Sequence, residues 1–112
     1  MGAAKRIFSY EEARNLIPAV RKRTREALSA LAATTAGDAG DAEESRERLE
    51  RAAAEILEAW ARDIEALGIE VKGPWLVDFD SGGGYFCWKW PEESLDFFHG
   101  YEEGFSGRVR IQ

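Results

Sequence analysis

Two stretches of this chain repeat their apolar residues at the spacing of an α-helix. Along residues 8–33 apolar side chains recur in steps of three and four, and the same spacing runs along residues 42–67. The segment 34–41 between them is rich in Gly, Asp and Thr, a composition typical of a loop. Two helices joined by a short loop pack side by side in opposite directions, so this part of the chain predicts a long antiparallel helical hairpin.

Residues at the predicted helix ends support these boundaries. Ser9 and Glu12 have the spacing of a capping box, in which each side chain accepts a hydrogen bond from the backbone of the other residue. Asp41 and Glu44 repeat that spacing at the start of the second helix. Gly68 stands where a left-handed residue commonly closes a helix.

After the second helix the spacing of the apolar residues falls to two, which predicts β-strands. The residues that share one strand face are Trp75, Val77, Phe79, Phe86, Trp88 and Trp90. The glycines of residues 81–84 predict a hairpin turn, and residues 91–93 predict a second turn before a third strand over residues 94–99.

The whole pattern predicts a single α+β domain over residues 1–112. In it the long antiparallel helical hairpin packs on a small three-stranded antiparallel sheet, a meander, and residues 70–112 form this sheet and its tail. The tail is expected to be a loop, or to add a short edge strand at residues 109–111. The apolar stripes of the hairpin are available to bury the aromatic strand face.

Composition and charge exclude several classes of protein. The net charge of −6 repels phosphate backbones, so no nucleic-acid partner is expected. No stretch approaches the roughly 20 apolar residues that a membrane span needs, so no membrane insertion is expected. Cys87 is the only cysteine, which excludes an intrachain disulfide and favours a cytoplasmic location.

Polar residues occupy the strand face opposite the aromatic one. If the first hairpin pairs evenly about its glycine turn, Asp78 lies directly opposite Cys87. If the second hairpin pairs in the shorter of two registers, His99 lies on the same face. A register one residue longer sends His99 to the aromatic face, because a one-residue slip exchanges the two faces of a strand. The sequence leaves both registers open.

In the shorter register this face has the residue types of a metal site. His99, Glu102 and Asp78 could supply nitrogen and oxygen ligands to a divalent metal, namely zinc, manganese or iron, if the segment after His99 is helical. The alternative is a structural histidine that is hydrogen-bonded to a carboxylate or a carbonyl group. Cys87 lies in the middle of a strand, where cysteine usually acts as a small buried apolar residue, and this position speaks against a catalytic thiol.

Arg108 follows a glycine-rich bend near the end of the chain. Its guanidinium group could bind a small anion, either a carboxylate or a phosphate, through two parallel hydrogen bonds. It could equally pair with Asp78, Glu92 or Glu102 and fix the tail, which is the interpretation we favour.

Several sequence motifs together resemble a known family. They are FSYEEARNLIP at residues 8–18, LGIEVK at 67–72, LVDF at 76–79, CW at 87–88, the acid at 92 and FHGYEEGFSGR at 98–108. These motifs resemble the small bacterial proteins of domain-of-unknown-function family 2203. The resemblance implies a fold and a set of motif positions but no activity. Those positions are Asp78, Cys87, Trp88, Glu92, His99, Glu102, Gly107 and Arg108.

Two hypotheses about function follow. The favoured one is an interaction or structural module whose hairpin has longer apolar stripes than the small sheet can cover, so that it forms a homodimer or binds a protein partner. The alternative is a metal-binding or small-anion-binding protein, which could extend to an acid–base enzyme. Its candidate polar site consists of Asp78, Cys87, Glu92, His99, Glu102 and Arg108.

Overall fold

The computed structural model describes residues 6–36 and 42–112, in which two long helices pack on one face of an antiparallel sheet. The helices are α1 (Tyr10–Ala36) and α2 (Ala42–Glu65), and the strands are β1 (Glu70–Gly73), β2 (Leu76–Asp80), β3 (Tyr85–Lys89), β4 (Phe97–His99) and β5 (Val109–Arg110). A 3₁₀ turn, Phe105–Gly107, lies just before β5. Neither helix is long and apolar enough, within these described residues, to cross a membrane.

Helix α1 begins at the predicted capping box. The hydroxyl group of Ser9 accepts a hydrogen bond of 3.0 Å from the Glu12 amide, and the Glu12 carboxylate accepts one of 2.8 Å from the Ser9 amide. The hydrogen bond from the Ser9 backbone lowers the pKa of Glu12. The second predicted box cannot be compared in the same way, because Asp41 lies outside the described residues.

Helix α2 ends two residues earlier than the sequence suggests. The helix stops at Glu65, and a turn over residues 66–68 follows it. Gly68 closes that turn with a φ of 86°, the left-handed conformation expected of it. A side chain at Gly68 would also meet the Arg6 side chain at 2.8 Å, so the position favours glycine for two reasons.

The prediction of a three-stranded sheet is wrong, because the described sheet has five strands in the order β1-β2-β3-β4-β5. The strand that the apolar pattern did not predict is β1, a short edge strand whose residues are only half-buried or exposed. Such a strand lacks the alternation of large apolar residues on which the prediction relied. At the opposite edge β5 is the short strand that had been left open as an alternative to a loop.

The pairing of the strands resolves the two registers. Asp78 pairs with Cys87 across β2 and β3, and Tyr85 pairs with His99 across β3 and β4. This is the shorter register, and it places His99 on the polar face. The third strand itself is shorter than expected, since only Phe97–His99 of residues 94–99 form β4.

The core lies between the hairpin and the aromatic face of the sheet, as predicted. Its fully buried members include Val77, Phe79 and Trp88 from the sheet, together with Val20 and Ile64 from the helices. The core does not run the whole length of the hairpin. Among the apolar residues of the described helices, none beyond Ala27 in α1 or before Leu57 in α2 packs against it.

Candidate functional site

Three buried polar side chains come together on the face of the sheet that points away from the helices. Asp78, Cys87 and His99 lie on the three adjacent strands β2, β3 and β4. Their relative exposures are 2%, 0% and 3%, respectively. One potential ligand atom from each residue lies within 4.8 Å of those of the other two. Among the described residues this is the group of acidic, histidine and cysteine side chains whose geometry could hold a metal ion.

Both ring nitrogens of His99 have polar partners. Nδ1 lies 2.7 Å from the Gly100 carbonyl oxygen, and Nε2 lies 3.0 Å from Oδ2 of Asp78. A carbonyl oxygen can only accept a hydrogen bond, so Nδ1 carries a proton and donates it. The contact between Nε2 and Oδ2 then holds a second proton, carried either by the imidazole ring or by the carboxyl group. The Gly100 carbonyl thus fixes the ring with Nε2 facing the carboxyl group.

The second oxygen of the Asp78 carboxyl group has no protein donor. Oδ1 is buried and accepts no hydrogen bond from any described residue. Burial raises the pKa of Asp78, although the neighbouring His99 lowers it in part. A buried oxygen without a partner normally costs about 1–3 kcal/mol. Oδ1 therefore adds a free acceptor to the cluster.

Cys87 is held as a neutral thiol. Burial, and secondarily the negative charge of Asp78, raises the pKa of Cys87 to about 12. His99 cannot serve as the base for this thiol, because Gly100 and Asp78 already engage both of its ring nitrogens. The arrangement therefore lacks the activation that a nucleophilic cysteine requires.

Arg108 and Glu92 form an ion pair beside this cluster rather than within it. The Arg108 guanidinium group donates hydrogen bonds of 3.1 and 2.5 Å to the two oxygens of the Glu92 carboxylate. It also stacks on the Phe97 ring at 3.9 Å, and Nη1 lies 3.9 Å from Sγ of Cys87. The favoured interpretation of Arg108 as an anchor of the tail matches this geometry, with Glu92 as its partner among the three acids considered.

Glu102 does not join the candidate metal ligands. The segment after His99 forms a turn over residues 101–104 instead of a helix, and Glu102 is exposed on it. The neighbouring Glu103 side chain turns back instead and accepts a hydrogen bond of 2.6 Å from the Gly100 amide. The spacing of His99 and Glu102 suits a shared metal only on a helix, so Cys87 takes the place that the sequence analysis gave to Glu102.

A cleft of about 280 Å³ leads to the cluster from the outside of the sheet. Asp78, Cys87 and His99 line it together with Lys72, Leu76, Tyr85, Tyr101, Gly104 and Phe105. The phenolic group of Tyr101 donates a hydrogen bond of 2.7 Å to Asp80, which ties the turn over residues 101–104 to β2.

Most residues in the walls of this cleft carry no signal in the sequence pattern. Lys72 lies on the missed strand β1, and Tyr101 and Phe105 lie in the irregular segment before β5. One signal was available for Tyr85, because strand alternation places it on the same face as Cys87. The contribution of the turn depends on how the chain folds back, and no local pattern encodes that path.

Fold and site together define a small α+β domain that has a hairpin of helices on one face of its sheet and a buried Asp–Cys–His cluster on the other. The chain belongs to the family described as uncharacterized conserved protein (DUF2203), whose family model matches residues 6–111, nearly the whole chain. This match agrees with the resemblance found in the motifs. No curated protein and no solved structure matches the chain.

Proposed function

We propose that this domain binds one divalent transition-metal ion of the zinc class between Asp78, Cys87 and His99. The observation that carries the proposal is the convergence of three buried ligand atoms of three different kinds, each within 4.8 Å of the others. Nitrogen, oxygen and sulfur donors are the ligands that zinc uses in proteins. Three protein ligands leave a fourth tetrahedral position for water or for another ligand.

The distances between the ligand atoms suit such an ion. Bonds of about 2.0–2.3 Å in a tetrahedral site place the ligand atoms about 3.3–3.8 Å apart. Nε2 of His99 and Oδ2 of Asp78 are 3.0 Å apart, and no pair in the cluster is further apart than 4.8 Å. Side-chain shifts of less than 1 Å therefore allow all three atoms to bind one ion.

The surroundings of the cluster also support the proposal. Histidines that bind metal ions usually donate their other ring N–H to a carbonyl or carboxylate group, and the contact between Nδ1 of His99 and Gly100 has this form. An ion would replace the proton between His99 and Asp78 and also the proton of the thiol. Arg108, whose Nη1 is 3.9 Å from the sulfur, could then donate a hydrogen bond to the thiolate.

The test is metal analysis of the untagged protein, followed by titration of chelator-treated protein with Co²⁺. We expect one ion per chain and a near-ultraviolet absorption band from charge transfer between the thiolate and cobalt. Asp78→Asn, which keeps the shape of the side chain, and Cys87→Ala should each reduce the affinity for the ion at least tenfold, and Cys87→Ala should abolish the band. The matched control is Glu102→Gln, which removes an exposed acid outside the cluster and should leave binding unchanged.

The opposite result has a clear meaning. If wild-type protein binds no ion, or if Glu102→Gln weakens binding as much as Asp78→Asn does, the cluster is not the metal site. Asp78 and His99 would then form a structural hydrogen-bonded pair, the alternative already open at the level of the sequence.

A second proposal concerns the hairpin, which we infer to associate with a second copy of this chain. The observation that favours it is the end of the core at Ala27 and Leu57, beyond which Leu28, Leu31 and Leu49 stay half-buried. A groove of about 270 Å³ runs between the two helices around the point where the core ends. Its lining combines apolar residues with charges of both signs: Ala27, Ala30, Ile56, Ala59 and Trp60 with Arg23, Glu26 and Asp63.

Arg23 and Asp63 form an ion pair of 3.3 Å with each other at this groove, so the apolar residues along it supply the surface that a second copy would cover. Sedimentation equilibrium tests this association. We expect a concentration-dependent dimer that Ala30→Glu disrupts, since Ala30 lines the groove, and that Ala33→Glu, an exposed position of α1 outside it, leaves intact. A monomer at every concentration would exclude the dimer.

A further inference from the structure

We infer that the cleft above the metal site receives a small flat ligand of at most one negative charge, which binds the ion through one atom and packs its ring on Tyr101 and Phe105. This inference rests on the proposed metal site and adds the class of ligand. The three candidate metal ligands all line the cleft, so the remaining coordination position of a bound ion faces it.

The walls of the cleft suit an aromatic molecule. Tyr101 and Phe105 line it, and each exposes a large apolar side chain, with relative exposures of 50% and 40%. Exposed aromatic residues beside a concave polar site are typical of ligand-binding surfaces. Tyr85 adds a third ring, packed edge to face against Tyr101 with the ring centres 5.1 Å apart.

Gly104 also lines the cleft, in the turn between Tyr101 and Phe105. Its φ of 68° lies in the left-handed region, and a side chain there would meet no atom within 4 Å. Open space therefore surrounds Gly104 in the turn that carries two of the aromatic residues lining the cleft.

The charges around the cleft limit the charge of the ligand. A divalent ion balances the Asp78 carboxylate and the Cys87 thiolate, which leaves the metal site neutral. Lys72 adds no net charge, since its ammonium group forms an ion pair of 3.1 Å with Glu70. A neutral site has no excess positive charge to attract a phosphate, whereas one carboxylate or one aromatic nitrogen can occupy the open position.

The size of the cleft limits the ligand further. Pockets for drug-sized molecules begin at about 300 Å³, and this cleft has about 280 Å³. A single ring with one substituent fits within this volume.

The experiment compares benzoate with acetate, because the two carry the same carboxylate and differ only in the ring. Each is titrated into the Co²⁺-loaded protein while the visible absorption of cobalt is followed. We expect benzoate to change the spectrum at a concentration at least about tenfold lower than acetate does. Inorganic phosphate, the third probe, is expected to bind more weakly than benzoate.

Variants test whether the ring packs where we infer. Phe105→Leu keeps an apolar side chain but removes the ring, and it should abolish most of the difference between benzoate and acetate while Co²⁺ still binds. Val109→Ala is the matched control, because Val109 is also exposed and apolar, at 62%, but does not line the cleft. It should preserve the difference.

The possible outcomes separate this inference from the metal proposal. If Co²⁺ binds and benzoate is no better than acetate, or if phosphate binds most tightly, the ligand inference is wrong and the metal site stands. The ligand inference is also wrong if Phe105→Leu and Val109→Ala lose the preference for benzoate over acetate to the same extent. If Co²⁺ does not bind at all, both proposals fail together.

Discussion

Nε2 of His99 lies 3.0 Å from Oδ2 of Asp78, and each of these two side chains is only 3% exposed. When one member of such a buried pair is removed, the other loses its partner inside the protein. Loss of the pair is therefore costly even though its formation adds little net stability. The pair also connects β2 with β4 across the intervening strand β3, so it contributes to the order of the sheet as well as to the site.

We predict that His99→Ala lowers the free energy of unfolding of chelator-treated protein by about 3 kcal/mol, because the buried Asp78 carboxyl group loses its contact with Nε2 of His99. Asp78→Asn should cost no more than about 1 kcal/mol, since the amide can donate a hydrogen bond to Nε2. Urea unfolding followed by tryptophan fluorescence measures both values. Equal costs for the two variants would show that the pair does not act as described.

Cys87 should resist thiol reagents in the native protein. Its side chain is fully buried, and burial together with the negative charge of Asp78 raises its pKa to about 12, so almost no reactive thiolate forms near pH 8. Ellman's reagent should release its colour only after denaturant is added. Rapid labelling of the folded, metal-free protein would contradict the neutral, enclosed thiol.

The same pKa predicts how stability depends on alkaline pH. The cysteine of the unfolded chain has its ordinary pKa of 9.0, whereas in the folded chain the pKa of Cys87 is about 12. As the pH rises, the unfolded chain therefore releases the Cys87 proton before the folded chain does. The contribution of the neutral thiol to the free energy of unfolding is complete below pH 9 and declines by about 1 kcal/mol per pH unit above it. Cys87→Ala lacks this contribution.

Melting temperatures measured from pH 8 to pH 11 test this dependence in metal-free protein. Tyr85 and Tyr101 also have raised pKa values, the first through burial and the second through its hydrogen bond to Asp80. Their contribution is common to both proteins, so the informative quantity is the difference between the two curves. If the melting temperatures of wild type and Cys87→Ala fall in parallel as the pH rises, Cys87 is not a cause of the loss of stability.

Arg108→Lys should loosen the C-terminal tail. Lysine cannot form the paired hydrogen bonds to Glu92 or stack a flat group on Phe97, so we expect a loss of about 1–2 kcal/mol and faster proteolysis after residue 104. Arg110→Lys is the control, because Arg110 is mostly exposed and approaches Asp96 only to 4.0 Å. If proteolysis is equally fast in both variants, the pairing of β5 holds the tail in place, and the ion pair between Arg108 and Glu92 does not.

Gly84→Ala should destabilise the turn that sets the register of the sheet. Gly84 has a φ of 154°, and a side chain there would collide with the Phe98 ring and approach the His99 carbonyl oxygen to 2.7 Å. We expect a cost above about 2 kcal/mol. Gly83→Ala, one residue earlier with open space around it, should change stability by less than about 0.5 kcal/mol. Thermal or urea unfolding of the two variants gives the comparison.

Much of the fold follows from periodicity. Amphipathic spacing located both helices, and alternation located β2 and β3 with their pairing, because in these elements one face is buried against a continuous apolar layer. β1 escaped notice because Glu70–Gly73 is an edge strand with little buried surface, so few of its residues are constrained to be apolar. The spacing of apolar residues indicates which face of an element is buried, so it does not predict an element that buries little surface.

The site was predicted only in part, for a similar reason. Alternation placed Asp78 opposite Cys87, and one of the two open registers placed His99 beside them. The choice of Glu102 assumed a helix after His99, but the chain turns there and Glu103 folds back onto Gly100. The position of that turn depends on Tyr101 reaching Asp80 and Arg108 reaching Glu92, and these contacts are remote in the sequence.

The hairpin covers one face of the sheet and the cluster lies on the other, so the two parts can change independently. No described apolar residue of α1 beyond Ala27 packs against the core, so we expect substitutions there to leave Asp78 and His99 undisturbed. A fluorophore or a surface anchor attached at the exposed position Ala33 would be linked to the helical hairpin and would leave the cleft facing the solution. The architecture therefore provides a natural point of immobilisation for any assay of what the cleft binds.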